Sequence, residues 1–194
     1  MTDALKQVNL SAIRAARTHV YPHMQASPLI FSPLLSERLR AKIFLKHENH
    51  NPTGSFKVRG GLNLAGRLSR SEQRRGIVSA TRGNHGQSLA FASRLHEIAC
   101  TIFVPQGNNP EKNQAMRAYG AKLVETGDDF DEARIAAEEM AQRHGMRYVH
   151  VAEADLINGV GTYGLEIFQT LPDADIVIIP VGGGSGVCGT LTVR

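Results

Sequence analysis

Tryptophan is absent, and only 6% of the 194 residues are aromatic. Stacking of successive nucleobases therefore has little to work with, and no nucleic acid partner is expected. Cysteine occurs twice, which is too few for a disulfide framework. The strand-like "ACTIFVP" around Cys100 and the glycine-rich turn before Cys188 suit small buried hydrophobes. No run of 18 apolar residues and no signal-peptide pattern occurs, so the expectation is a cytoplasmic chain with no membrane contact. Several catalytic signatures are missing too. There is no G-x-S-x-G elbow, no G-K-[ST] and no H-E-x-x-H. "HENH" (47–50) and "HEIAC" (96–100) have the wrong spacing for zinc, and no metal is expected. Repeats, low-complexity tracts and flexible linkers are also lacking.

What is present is an ordinary globular composition, 42% apolar with a net charge of +4 and a pI near 9.3. The densest basic run, Arg67 to Arg75, is interrupted by Glu72 and reads as a solvated helix end and turn. Short apolar runs at 42–48, 76–81, 100–105, 121–126, 147–151 and 175–181 read as strands. Most lack a period of two, as strands buried on both faces do. Between them lie helical patterns. Leu89, Ala92, Leu95 and Ile98 or Ala99 recur at helical spacing. Residues 128–144 open with acids and close on Arg143-His144 before Gly145. The alternation predicts an α/β fold of open, twisted parallel sheets with flanking helices. After the run at 175–181 only one short helix follows. A parallel sheet needs cover on both faces, so the expectation is an incomplete domain, prone to aggregate or dependent on a partner.

Three glycine-rich segments read as loops. "SATRGNHGQS" (79–88) runs from strand through turn to helix, with Asn84 as the expected N-cap and His85 biased toward neutrality in the first turn. "NGVGTYG" (158–164) and "GGGSGVCG" (182–189) each contain a literal G-x-G-x-x-G. Neither has the strand before it and the acid about 20 residues after it that a dinucleotide site requires, so NAD is not expected. The third follows an apparent strand and opens a helix, which suits a phosphate. Finally, "NPTGSFKVRGG" (51–61) places Lys57 where a loop becomes a helix, an awkward position for a cation. Beside a phosphate cradle, such a lysine suggests a Schiff-base nitrogen. Local positive potential and desolvation would both favour its neutral form.

Four ordered motifs, "KHENHNPTGSFKVRGG", "SATRGNHGQSLA", "AMRAYGAKLVETGDDFDEA" and "VGGGSGV", carry a resemblance from about residue 10 to the end of the chain. They resemble the fold-type II, tryptophan-synthase-β-like pyridoxal 5'-phosphate enzymes, within them the threonine/serine dehydratases and serine racemase. The resemblance implies a two-domain architecture, with 53–152 as the small α/β domain and 1–52 plus 153–194 as part of a large cofactor-phosphate domain. It implies that Lys57 forms the Schiff base and that Phe56 packs on the pyridine ring. Asn84 would bond the ring 3′-oxygen, and Gly182, Gly183, Gly184, Ser185 and Gly186 would hold the phosphate. Thr81, Gly83, Asn84 and His85 would line the substrate carboxylate site, with Arg134 approaching it on domain closure. Arg134 reads equally well as a solvent-facing helix arginine. The implied reaction is β-elimination from L-threonine or L-serine to a 2-oxo acid and ammonia, by a homodimer in the full-length parent.

The chain departs from the pattern in places. Arg82 stands where serine racemase carries a serine, and a guanidinium is a poor proton shuttle, which favours elimination. Asn158-Gly159-Val160-Gly161 replaces a glutamine-containing version. The family's catalytic domain is also longer. The alternatives are an inactive truncated fragment or cofactor-binding paralogue, and a serine racemase or β-replacement enzyme.

Overall fold

The computed structural model describes residues 7–194. Its first helix, α1 (Leu10–Val20), is capped by the Asn9 side chain, which accepts from the Ala12 N–H. It buries Ile13, Ala16 and Val20, spaced as one helical face requires. A two-stranded antiparallel sheet follows, β1 (Leu29–Phe31) with β2 (Phe44–Lys46), joined through α2 (Pro33–Leu39). The strand expected at 42–48 is thus a short piece of an antiparallel ribbon. Its partner, β1, has no alternating signature that would announce it.

The chain then enters α3 (Lys57–Arg67) and α4 (Arg70–Arg75). In α4 Ser69 and Glu72 form a reciprocal capping box. None of its residues is buried, as expected for the basic run. From there strand and helix alternate: β3 (Ile77–Ala80), α5 (Asn84–Leu95), β4 (Cys100–Val104), α6 (Pro110–Ala118), β5 (Lys122–Glu125), α7 (Phe130–His144) and β6 (Arg147–Tyr148). The strands form one parallel sheet in the order β5-β4-β3-β6. Every residue of β3 and β4 is buried. Ile77, Ile102 and Val104 face a core built with Leu62, Leu64, Leu89 and Met116. Val78, Ala80 and Phe103 face the alanine stripe Ala133, Ala137 and Ala141 of α7. Cover on both faces is why these strands show no polar alternation. Helix α7 also follows its sequence signals. Asp129 caps it, acids fill the first turn, and Gly145 ends it at φ +63°.

The long α8 (Ala154–Thr170) and the final α9 (Ser185–Val193) complete the fold. Two expectations change here. The glycines of 158–164 lie inside α8 rather than in a loop. They are there for close helix packing. A β-carbon at Gly159 would collide with the Arg59 carbonyl, and one at Gly161 would come within 2.7 Å of Ile13. The backbone of Gly161 also lies 2.8 Å from where a Gly189 β-carbon would sit, so α8 and α9 nearly touch. The second change concerns 175–181, which forms no strand. Ile176, Ile178 and Val181 are exposed, while Val177 and Ile179 turn inward to a cavity of about 320 Å³ shared with Phe168, Val187 and Leu191. A strand needs a neighbour for its N–H and C=O groups, and none lies beside this segment among the described residues. Cys100 is buried as expected, whereas Cys188 is exposed, on the outer side of α9. No helix among the described residues is long and apolar enough to cross a membrane.

Candidate active site

Lys57 and the last glycine-rich turn are 128 residues apart in sequence, yet Lys57 Nζ donates to Ser185 Oγ at 2.5 Å. Lys57 is the first residue of α3. Its N-cap is Phe56, with no side-chain cap. Ser55, two residues before the helix, holds a buried hydroxyl without a partner among the described residues, as does Thr53. Burial pushes the Lys57 amine below its ordinary value. No carboxylate among the described residues lies within ion-pairing distance of it, so nothing restores the charge. The Phe56 ring lies beside the amine, with its centroid 5.4 Å away.

The turn facing Lys57 ends in Gly184 at φ +84°, a left-handed position that favours glycine, and Ser185 begins α9. Gly182 and Gly183 are exposed, while Ser185 and Gly186 are buried. A β-carbon at Gly186 would press on the Tyr163 hydroxyl at 3.1 Å and on Phe56 at 3.3 Å. Tyr163 donates to the Gly186 carbonyl at 3.1 Å, and the Thr190 hydroxyl donates to Tyr163 in turn. The turn is thus anchored from beneath, with free helix N–H groups at its mouth.

The third wall is the segment 79–88. Lys57, Gly60, His85, Ser88, Val151, Leu156, Val160 and Ser185 line one narrow pocket. His85 is buried, and its pKa is pushed down to about 3. Desolvation is the main cause and the Lys57 charge the next, with the Val149 carbonyl opposing them. His85 is therefore neutral at physiological pH, in the sense expected from its position. Its Nε2 lies 3.1 Å from Ser79 Oγ, which spends its own proton on the Val149 carbonyl at 2.7 Å. Ser79 can then only accept, which makes Nε2 the protonated nitrogen. Thr81 is buried, and its hydroxyl accepts from the Gly83 N–H at 3.1 Å. Asn84 departs from expectation. Gly83 is the N-cap of α5, and Asn84 is its exposed first residue, whose Oδ1 accepts from Lys112 Nζ at 3.0 Å. The carbonyl that would have capped the helix is already engaged.

Arg134 is not brought to this pocket. Its guanidinium donates to Asp131 and Glu138 on its own helix. Sequence reasoning also passed over a second buried centre, on the α3–α8 interface. Arg59 is fully buried and donates from Nε and Nη2 to both oxygens of Glu48, at 2.8 Å each. Nη1 donates to Glu166 at 2.6 Å and to Thr162 at 3.1 Å, and Nη2 reaches the other Glu166 oxygen at 3.0 Å. Lys46 pairs with Glu166 as well, and the Tyr21 hydroxyl donates to it at 2.8 Å. Burial alone would raise the Glu166 carboxyl, but the Arg59, Lys46 and Tyr21 bonds hold it below its usual range. Burial, and then Glu166, push the Tyr21 phenol up to about 12. The only sequence signal was Arg59 itself, a charge set between Val58 and two glycines in a motif already marked by its lysine.

A desolvated amine, an anchored glycine turn at a helix start and a neutral imidazole fit an aldehyde-bearing phosphate. Residues 20–193 match the family described as "Pyridoxal-phosphate dependent enzyme". The chain belongs to this family. It is 38% identical over 187 residues to the catabolic L-threonine dehydratase of Staphylococcus aureus, covering 95% of this chain and 54% of that protein. Threonine deaminase isoform 2 from Solanum lycopersicum superposes with a TM-score of 0.89 at 36% identity, over all of this chain and 56% of that one. Serine racemase from Dictyostelium discoideum gives 0.89 at 29% identity, over 96% and 61%. The chain spans about half the length of the curated relatives it matches. The α/β fold with a parallel sheet and flanking helices is that of this family.

Proposed function

We propose that this chain carries the lysine and phosphate-turn portion of a pyridoxal 5'-phosphate-dependent ammonia-lyase, acting on L-threonine or L-serine. The observation that carries the reading is the Lys57 amine, desolvated and without a counter-ion, bonded to Ser185 at the glycine turn. Gly182 to Gly186 would hold the cofactor phosphate on the α9 N-terminus. Phe56 would flank the ring, and Asn84 would meet its 3′-oxygen. Bound there, the cofactor supplies an electron sink for the bond broken at the substrate α-carbon.

The chain's own groups do the rest. Lys57 Nζ, held toward neutrality by burial, takes the α-proton. Thr81, Gly83, Asn84 and His85 receive the substrate carboxylate at the start of α5, where N–H groups are free. His85, neutral, contributes no charge to that site and is held by its contact with Ser79. Loss of the β-hydroxyl as water, then hydrolysis of the resulting enamine, leaves a 2-oxo acid and ammonia. Arg82 supports elimination over racemisation. It is exposed, and a guanidinium does not shuttle protons.

The proposed division assigns 53–152, with the four-stranded sheet, to a small domain and the rest to part of a large one. A cytoplasmic homodimer is the proposed setting, on the resemblance to dehydratases alone. The test is to supply pyridoxal phosphate with L-threonine or L-serine. The reading expects 2-oxo acid from the chain and none from Lys57→Ala. A D-amino acid product would indicate a racemase. Bound cofactor without any product would indicate an inactive fragment or a cofactor-binding paralogue.

A further inference from the structure

Lys112 is the third residue of α6, and its side chain lies across the turn that opens α5. A β-carbon at Gly83 would stand 3.6 Å from its Cδ and 3.7 Å from its Cγ, so the aliphatic stem runs along the Gly83 backbone. From there Nζ donates to Asn84 Oδ1 at 3.0 Å. Among the described residues no carboxylate pairs with Lys112. An ammonium group only donates, whereas an amide has one accepting and one donating end. The contact therefore fixes which way the Asn84 amide faces: its oxygen is turned to Lys112 and its NH₂ away.

We propose that Lys112 is a positioning residue, holding the Asn84 amide so that Nδ2 is offered to the ring oxygen of bound pyridoxal phosphate. The proposal rests on the reading of Asn84 given above and adds the group that makes Asn84 serve that role. With Lys112 removed, the amide is free to turn over and set its carbonyl against the anionic ring oxygen. Half-burial of Lys112 and its packing on Gly83 limit how far the ammonium can wander. The same contact explains why Asn84, a residue type that favours N-caps, leaves that position to Gly83.

The test compares Lys112→Met, Lys112→Arg, Asn84→Ala and the Lys112→Met/Asn84→Ala double variant. The readouts are the pyridoxal phosphate dissociation constant and the position of the visible absorption band. Lys112→Met is expected to weaken cofactor binding by about threefold to tenfold, the scale of one lost hydrogen bond, and to move the band. Lys112→Arg is expected to restore both. Once Asn84 is alanine, Lys112→Met is expected to have no further effect, because the two act as one unit. If Lys112→Met leaves affinity and band unchanged while Asn84→Ala alters them, the positioning role is overturned and the Asn84 reading stands. If Lys112→Met raises only KM for the amino acid, the lysine acts on substrate directly, and the positioning role is again overturned. If Asn84→Ala itself changes neither affinity nor band, the reading of Asn84 fails and the proposal falls with it.

Discussion

Lys57 and Arg59 stand two residues apart on the first turn of one helix, Arg59 fully buried and Lys57 partly so. Their surroundings differ completely. Arg59 finds acceptors for its whole guanidinium in Glu48, Glu166 and Thr162. With Lys46 the group has two positive and two negative charges. Lys57 finds one hydroxyl. A buried charge that is fully paired is fixed, and its loss strands its partners. A buried amine with no counter-ion is instead pushed toward its neutral, nucleophilic form. The same helix thus holds a structural cation and a reactive one, and what separates them is the supply of carboxylates.

The comparison breaks most sharply through replacement of each in turn. Lys57→Met is expected to remove all 2-oxo acid production while leaving the thermal midpoint unchanged or higher, since a desolvated amine gives way to an apolar chain of similar length. Activity assay and thermal melt together check this. A large loss of stability would show that Lys57 is structurally paired after all. Arg59→Met reverses the pattern. It leaves Glu48 with only the neutral donors Ser27 and Asn51 and Glu166 with only Lys46 and Tyr21, and is expected to cost about 3–5 kcal/mol in urea unfolding. Arg59→Lys should recover only part of this, because three donors cannot replace a planar fork of five.

Glycine substitution at the same interface ranks next. Gly159→Ala drives a methyl into the Arg59 carbonyl, which is backbone and cannot swing aside. The expected cost is about 1–3 kcal/mol, measured by the same unfolding curves. Gly54→Ala has open space around it but sits at φ +64°, so its cost is expected to be smaller and to come from backbone strain alone.

The pH dependence sharpens the contrast further. The Glu166 carboxyl is held below its ordinary value of 4.5. Its contribution to stability is therefore present above that value and lost as pH falls through the folded pKa. The Lys57 amine is held below 10.5. Between its folded pKa and 10.5 the unfolded chain binds more protons, so stability rises with pH across that window. Glu166→Gln should flatten the acid limb of the stability profile, and Lys57→Met should flatten the alkaline one. Urea midpoints measured across pH check both. Exchange of the two effects would contradict the assignment.

Much of this was legible in the chain, for physical reasons that differ by region. The parallel sheet was readable because β3 and β4 bury both faces and so lose polar alternation. Helix α7 announced itself through its caps and charge order. The meeting of Lys57 with Ser185 was foreshadowed by the phosphate-turn pattern, although no local property links residues 128 positions apart. The misreadings share a cause. "NGVGTYG" resembles a loop because glycine's lack of a side chain serves turns and close helix contacts equally. Residues 175–181 resemble a strand because apolar content is visible locally while a pairing neighbour is not. The Arg59 centre was missed because its carboxylates come from residues 11 and 107 positions away.

Arg134 gives the smallest effect and a control for the comparison. Like Arg59, it binds two carboxylates, Asp131 and Glu138, but these lie three and four residues away on its own helix, and part of the group faces water. Exposed pairs at this spacing gain little, because solvent screens them and ordering two long side chains costs entropy. Arg134→Ala is therefore expected to leave the urea midpoint unchanged within error, under conditions where Arg59→Met shifts it strongly. Raising the salt concentration should leave both variants' difference from the parent chain nearly constant, since the surface pair contributes little and the buried one is poorly screened. A salt-dependent loss in Arg134→Ala would mean that the number of carboxylate partners, rather than their burial, sets the worth of an arginine in this fold.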